Sequence, residues 1–149
     1  MKVIELDITN EEDLFDKYNK DNISQELINY LVESTFAIDL KEKIKLIIHS
    51  DLKKQICIPI IIRGLKMEYN KNVLNYKHNS KIQLIYLVLG VIILFISSLI
   101  NGVVLKEVAL IGGWVFIWSM IEIELFTDMK ILRKRKILKR LIECEKEEL

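Results

Sequence analysis

Glu122 is the residue of this sequence whose type and position could do chemistry. It stands near one end of an apolar run, Val108 to Phe126 (VALIGGWVFIWSMIEIELF), long enough to cross a membrane as a helix. With the run centred near residue 117, five residues of helix leave Glu122 roughly 7 Å from the bilayer midplane. A carboxylate at that depth is costly and is expected to face protein, water or a partner. Trp114, Trp118 and Glu122 are each four residues apart and so share nearly one helix face. The tryptophans lie too deep for an ordinary aromatic belt, which points to packing or oligomer contact. Tyr86, in an earlier apolar run, falls at a similar depth, and its hydroxyl could donate to the carboxylate. Two readings stay open: a polar position in an oligomeric pore or proton-sensitive site, or a glutamate reaching the boundary beside Lys81, Lys130 or lipid amines.

Other reactive residue types lack company. His49 and His78 are far apart in the chain and have no ligand set beside them, so no metal site is expected. Cys57 and Cys144 belong to no CxxC or Cys/His arrangement and are expected to be reduced thiols. The pair Gly112-Gly113 lies inside an apolar run, not in a phosphate-binding loop. Glu11 and Glu12 read as first-turn helix acids that favour the helix dipole. No catalytic residue and no cofactor are expected, so an enzyme is not the reading.

The elements that carry these residues are set by charge and hydropathy. Ile82 to Leu105 (IQLIYLVLGVIILFISSLINGVVL) is 24 residues without a charge, enough for a membrane span. A chain of 149 residues could not wrap such a helix on every side as a soluble core. The expected spans are 82–101 and 108–126, joined by a short connector. Lys66, Lys71, Lys77 and Lys81 precede the first span, and Lys130, Arg133, Lys134, Arg135, Lys136, Lys139 and Arg140 follow the second. That distribution predicts both ends in the cytoplasm and a tight external turn. The acidic start MKVIELDITNEEDLFD lacks the apolar core of a cleaved signal peptide.

Small residues predict a packed transmembrane hairpin. A turn near residue 104 or 105 sets Ser97 opposite Gly112 and Gly90 opposite Ser119, where small side chains let helix backbones approach. The same register sets Lys81 against Asp128, predicting an ion pair at the cytoplasmic boundary.

The polar remainder predicts an α+β membrane protein with a cytosolic domain over 1–63, a helical stalk over 64–81, the hairpin over 82–126 and a basic amphipathic helix over 127–149. Val3 to Ile8 alternates with Ile4, Leu6 and Ile8 on one face, and Lys43 to Ser50 alternates with Ile44, Leu46 and Ile48 on one face. Paired, these strands could set the acids of the first against the lysines of the second. Thr9 to Glu12 fits a capping box ahead of Leu14, Phe15 and Tyr18. Asn22 or Ser24 could cap a second helix burying Leu27, Ile28, Leu31, Val32 and Phe36. Two strands are marginal alone, and the run Ile56 to Ile62 could cover them, with Pro59 marking a break or a helix start. The C-terminal segment either continues the second span and packs on the stalk, or lays Arg133, Lys134, Arg135 and Lys136 on lipid headgroups. Nucleic acid is not an expected partner, since a basic cluster beside a span already has a topological reason.

The segment WVFIWSMIEIELFTDMKILRKRK resembles that of short bacterial two-span membrane proteins whose second span reads W-x3-W-x3-E before a basic cytoplasmic exit. The matching residues are Trp114, Trp118 and Glu122. The resemblance implies membrane topology and brings no activity. The expectation is a non-enzymatic, self-associating membrane protein with a cytosolic sensing or recruiting domain, including a membrane-disrupting effector of phage defence. An accessory or scaffold subunit of a larger membrane complex and a holin-like pore former are the alternatives.

Overall fold

The computed structural model describes residues 2–16, 22–39, 42–50 and 57–148. Tyr18 and residues 51–56, included in the helix and sheet-cover expectations above, lie outside the described residues. The chain divides into two compact units: a head comprising 1–72 with 134–149, and a hairpin comprising 73–133.

The head is a mixed α+β unit on a small sheet of three parallel strands. Strand β1 (Lys2–Ile8) and strand β2 (Ile44–Ser50) alternate as the sequence predicts, with Ile4, Leu6, Ile8, Ile44, Leu46 and Ile48 buried. Their pairing is parallel, which demands a crossover. Helix α1 (Glu11–Leu14) and helix α2 (Gln25–Phe36) supply it. Helix α1 is a single turn. The Asp13 carboxylate, rather than Glu12, reaches back to its start, accepting from the Asn10 N–H at 3.0 Å and the Thr9 hydroxyl at 3.1 Å. The chain then leaves the helix, and Phe15 bridges antiparallel to Ile23. On α2, Ile28 and Leu31 are buried, and Thr35 takes the inward position expected of Phe36, which is half exposed.

The third strand comes from the other end of the chain. Strand β3 (Glu145–Glu148) pairs parallel with β2, so β2 is central in the order β1-β2-β3. The expected opposition of β1 acids and β2 lysines does not form. Parallel register sets Val3 opposite Lys45, Glu5 opposite Ile47 and Asp7 opposite His49. Lys45 instead extends to Glu147 on β3, 2.6 Å away, which raises its pKa.

Everything between β2 and β3 is one long crossover containing both apolar helices. Helix α3 (Cys57–Leu99) is continuous for 43 residues. Pro59 falls in its first turn, where a missing N–H costs nothing. Its first turns contribute Cys57, Ile61 and Leu65 to the head core. Ile23 sits directly over Gly64, leaving no room for a Cβ there. After a short connector, helix α4 (Val103–Glu122) passes through a π-helical segment (Ile123–Asp128) into helix α5 (Met129–Glu143). Helix α5 is amphipathic and buries Ile137, Leu138 and Leu141 in the same core as Leu31, Leu46 and Ile48. The segment 127–149, expected as one basic amphipathic helix, is therefore divided. Its latter part, with β3, belongs to the head, because its apolar stripe completes a core that β1, β2 and α2 leave open.

Two helical stretches, Cys57–Leu99 and Val103–Glu143, are long and apolar enough to cross a membrane. Only 11% and 6% of their most apolar windows are buried within the chain, whereas a core helix of a soluble protein would be mostly enclosed.

Candidate functional site

The hairpin is organised around a polar clasp at its head-proximal end. On α3 the residues turned toward α4 recur at heptad-like spacing. Gly90 and Ser97 are buried, and Asn79, Gln83, Tyr86 and Leu94 are partly buried. Asn79 and Gln83 are four residues apart and so lie one above the other on that face. Both point their side-chain amides at one residue. Asp128 is 4% exposed and accepts from Asn79 Nδ2 at 2.9 Å on Oδ1 and from Gln83 Nε2 at 2.8 Å on Oδ2.

The π-helical segment is what aims Asp128. A wider turn, closing at five residues instead of four, retards the helix phase by about one residue over its length. The inward line of α4 passes through Gly113 and Met120, and in an unbroken α-helix its next heptad position would be Thr127. With the wide turn interposed, Asp128 faces inward and Thr127 is exposed. Each carboxylate oxygen then has one donor, which offsets the cost of removing the group from water.

This geometry corrects the expected boundary pair. Lys81 forms no ion pair with Asp128 among the described residues. It lies two positions from both Asn79 and Gln83, about 160° round the helix, and is exposed on the opposite side.

The helix-packing residues are also redistributed. A Cβ on Gly90 would lie 3.1 Å from the Gly113 carbonyl oxygen and 2.9 Å from Ile117 Cγ1; a Cβ on Gly113 would lie 3.2 Å from the Gly90 carbonyl oxygen. Gly90 and Gly113 thus mark the close approach of the two backbones. Gly112, the residue expected there, would place its Cβ an unhindered 4.0 Å from Ile93. Ser97 is buried and Ser119 half-buried, but each hydroxyl turns back on its own helix, Ser97 to the Leu94 carbonyl at 2.7 Å and Ser119 to the Val115 carbonyl at 2.9 Å. Tyr86 packs edge-on against Phe116, ring centres 5.9 Å apart, and makes no hydrogen bond to Glu122.

Trp114, Trp118 and Glu122 do share a face, and it is the outer one. The tryptophans are 58% and 66% exposed, and Glu122 is exposed with them. The four basic residues proposed for headgroups split by the same helical logic. Lys134 reaches Glu68 Oε1 at 2.7 Å, and the Arg135 guanidinium lies 5.5 Å from the Tyr69 ring centre, within the head. Lys136 stays exposed, as does Arg133 on the hairpin side of the boundary.

Glu68 is the most enclosed charged group of the head apart from residues beyond description, with its side chain 9% exposed. Burial opposes its ionisation. The hydrogen bond and charge of Lys134, with Lys71 and Asn72, outweigh that and hold its carboxyl below the ordinary value. Burial pushes the Cys144 thiol up instead, against the pull of Lys146. Among the described residues no three His, Cys, Asp or Glu side chains converge as metal ligands. The clasp contains no nucleophile, and what it can do is hold two helices in one register.

No family model, curated protein or solved structure matches this chain.

Proposed function

We propose that this chain is a non-enzymatic, self-associating protein of a bacterial cytoplasmic membrane. A cytosolic head senses or recruits a partner, and a two-helix hairpin anchors it and changes membrane permeability in response. One observation carries the reading: the two apolar helices lie in the connection between β2 and β3, adjacent strands of one sheet. A chain that leaves a domain and returns to the same sheet crosses a bilayer an even number of times. The cations Lys130 to Arg140 favour the cytoplasm for that domain. Helix α3 contributes both to the head core and to the clasp, so a change in the head has an unbroken element through which to act. Two helices cannot enclose a solute path, so permeabilisation requires several copies.

The test is induced expression in a bacterium with an impermeant dye outside. We expect the chain to resist carbonate extraction and to admit dye, and Leu46→Asp, which breaks the head core, to abolish uptake at equal membrane abundance. A carbonate-soluble chain overturns the membrane reading. Dye exclusion at high membrane abundance overturns the permeability role and favours an accessory subunit. Dye uptake undiminished by Leu46→Asp would favour a holin-like pore former, which needs no folded head.

A further inference from the structure

We infer that the occupant of the outer Trp114–Trp118–Glu122 face is a second copy of this chain, docked through its α3 and fixed by an ion pair between Glu122 of one copy and Lys81 of the next. The inference deepens the proposed self-association and rests on the hairpin spanning a bilayer.

Among the described residues the fold leaves Lys81 and Glu122 without ion-pair partners. Sequence register would have spent Lys81 on Asp128, but Asn79 and Gln83 satisfy both oxygens of that carboxylate. Lys81 is left exposed on the far side of α3, and Glu122 is left exposed on the far side of α4. Neither has an ion-pair partner among the described residues. A glutamate and a lysine near the end of a span are expensive when single and much less so when paired.

The two charges also lie toward the same end of the hairpin. Asp128, held by Asn79 and Gln83, lies level with Lys81, and Glu122 is six residues further along its helix, so the two charges differ in depth by at most about 9 Å. Extended lysine and glutamate side chains together span that offset. They nevertheless point away from each other within one hairpin, so the pair can close only between hairpins.

Their surroundings suit that contact. Above Glu122 the face presents Trp118 and Trp114, and above Lys81 the corresponding face of α3 presents Leu84, Ile85 and Val88, exposed in all cases. Broad aromatic rings against branched aliphatic side chains give the dispersion contact that drives helix association in lipid. A different protein as occupant would have to supply a cation at this depth, whereas a second copy already carries one. Because the two faces differ, the contact is head-to-tail and can propagate into a ring.

The experiment uses full-length chains carrying two different tags, co-expressed and recovered in lipid nanodiscs. Wild-type copies should co-purify. Glu122→Lys should reduce self-association by about tenfold, as should Lys81→Glu, because each places like charges across the contact. Mixed together, the two variants should co-purify at near wild-type yield, since both junctions in an alternating assembly then join opposite charges. That reciprocal rescue also shows that each variant is folded. The inference is overturned if wild-type copies do not co-purify, if the single variants self-associate undiminished, or if carbonate-resistant variants fail to rescue each other. Trp118→Ala, which removes contact area and leaves charge alone, should weaken wild-type pairing and reciprocal pairing equally; selective loss of one would overturn the shared-face geometry. Recovery of the chain in the carbonate-soluble fraction would instead strike the membrane reading on which the inference stands.

Discussion

Two carboxylates, Asp128 and Glu68, show how differently buried acids can be satisfied in one chain. Glu68 is held by a lysine and Asp128 by two neutral amides. For Glu68 the sign of the pH effect follows from its lowered folded value. A depressed carboxyl contributes stability above its ordinary value of 4.5 and loses it as pH falls through the folded one. Glu68→Gln should therefore cost the head about 1.5 kcal/mol near neutrality. The wild-type advantage should shrink as denaturant melts are repeated at progressively lower pH below the ordinary carboxylate range. A gap independent of pH would mean that the charge of Glu68 contributes nothing. At the clasp, Asn79→Leu or Gln83→Leu should each weaken the hairpin by about 1–2 kcal/mol, measured by SDS titration of the monomer in detergent. Lys81→Gln should leave the same titration unchanged. Sequence made Asp128 conspicuous and paired it with the nearest cation. It could not supply the rotational phase of α3, which turns the amides inward and the lysine out.

At the scale of elements, strand alternation was legible because burial on one face of a sheet forces a period of two, as Ile4, Leu6 and Ile8 show. Pro59 was legible only as a break or a helix start, and it falls within the first turn of α3. Strand β3 was not, because Glu145-Lys-Glu-Glu148 has no apolar face and is a strand only through the neighbouring β2. The π-helical segment was equally hidden, since no residue type signals a wide turn. Glycines give the sharpest test of the hairpin's register. Gly112→Ala should be neutral or stabilising by up to about 1 kcal/mol, because alanine favours helix and its Cβ has room. Gly90→Val and Gly113→Val should destabilise the hairpin by about 1–3 kcal/mol, because each side chain must displace the opposite backbone. The SDS titration ranks all three, and equal tolerance at 112 and 113 would place the close approach elsewhere.

For the whole molecule, the proposed membrane topology combined with the connection between β2 and β3 makes folding of the head and insertion of the hairpin mutually dependent. Among the described residues, ten of the sixteen that share the core with Leu46 lie before the apolar helices and six lie at their start or after them, Ile137, Leu138 and Leu141 among them. On the proposed topology, the head cannot complete its core until the second span has been inserted and α5 has returned to the starting side. Truncation after Leu125 should therefore leave a membrane-anchored chain whose residues 2–50 are protease-sensitive, although no residue of that segment has changed. Truncation after Glu143 removes β3 and the Lys45–Glu147 pair but keeps Ile137, Leu138 and Leu141, and so should preserve most of the protection. Reporter fusions at the two ends of the full chain should both read cytoplasmic, because strands in one sheet must share a compartment. Limited proteolysis of inverted membrane vesicles measures the first two outcomes side by side. A fully protected head in the shorter chain would show that α5 is dispensable to the core, reporters reading opposite compartments would show that β2 and β3 are not paired in the cell, and two external reporters would reverse the orientation.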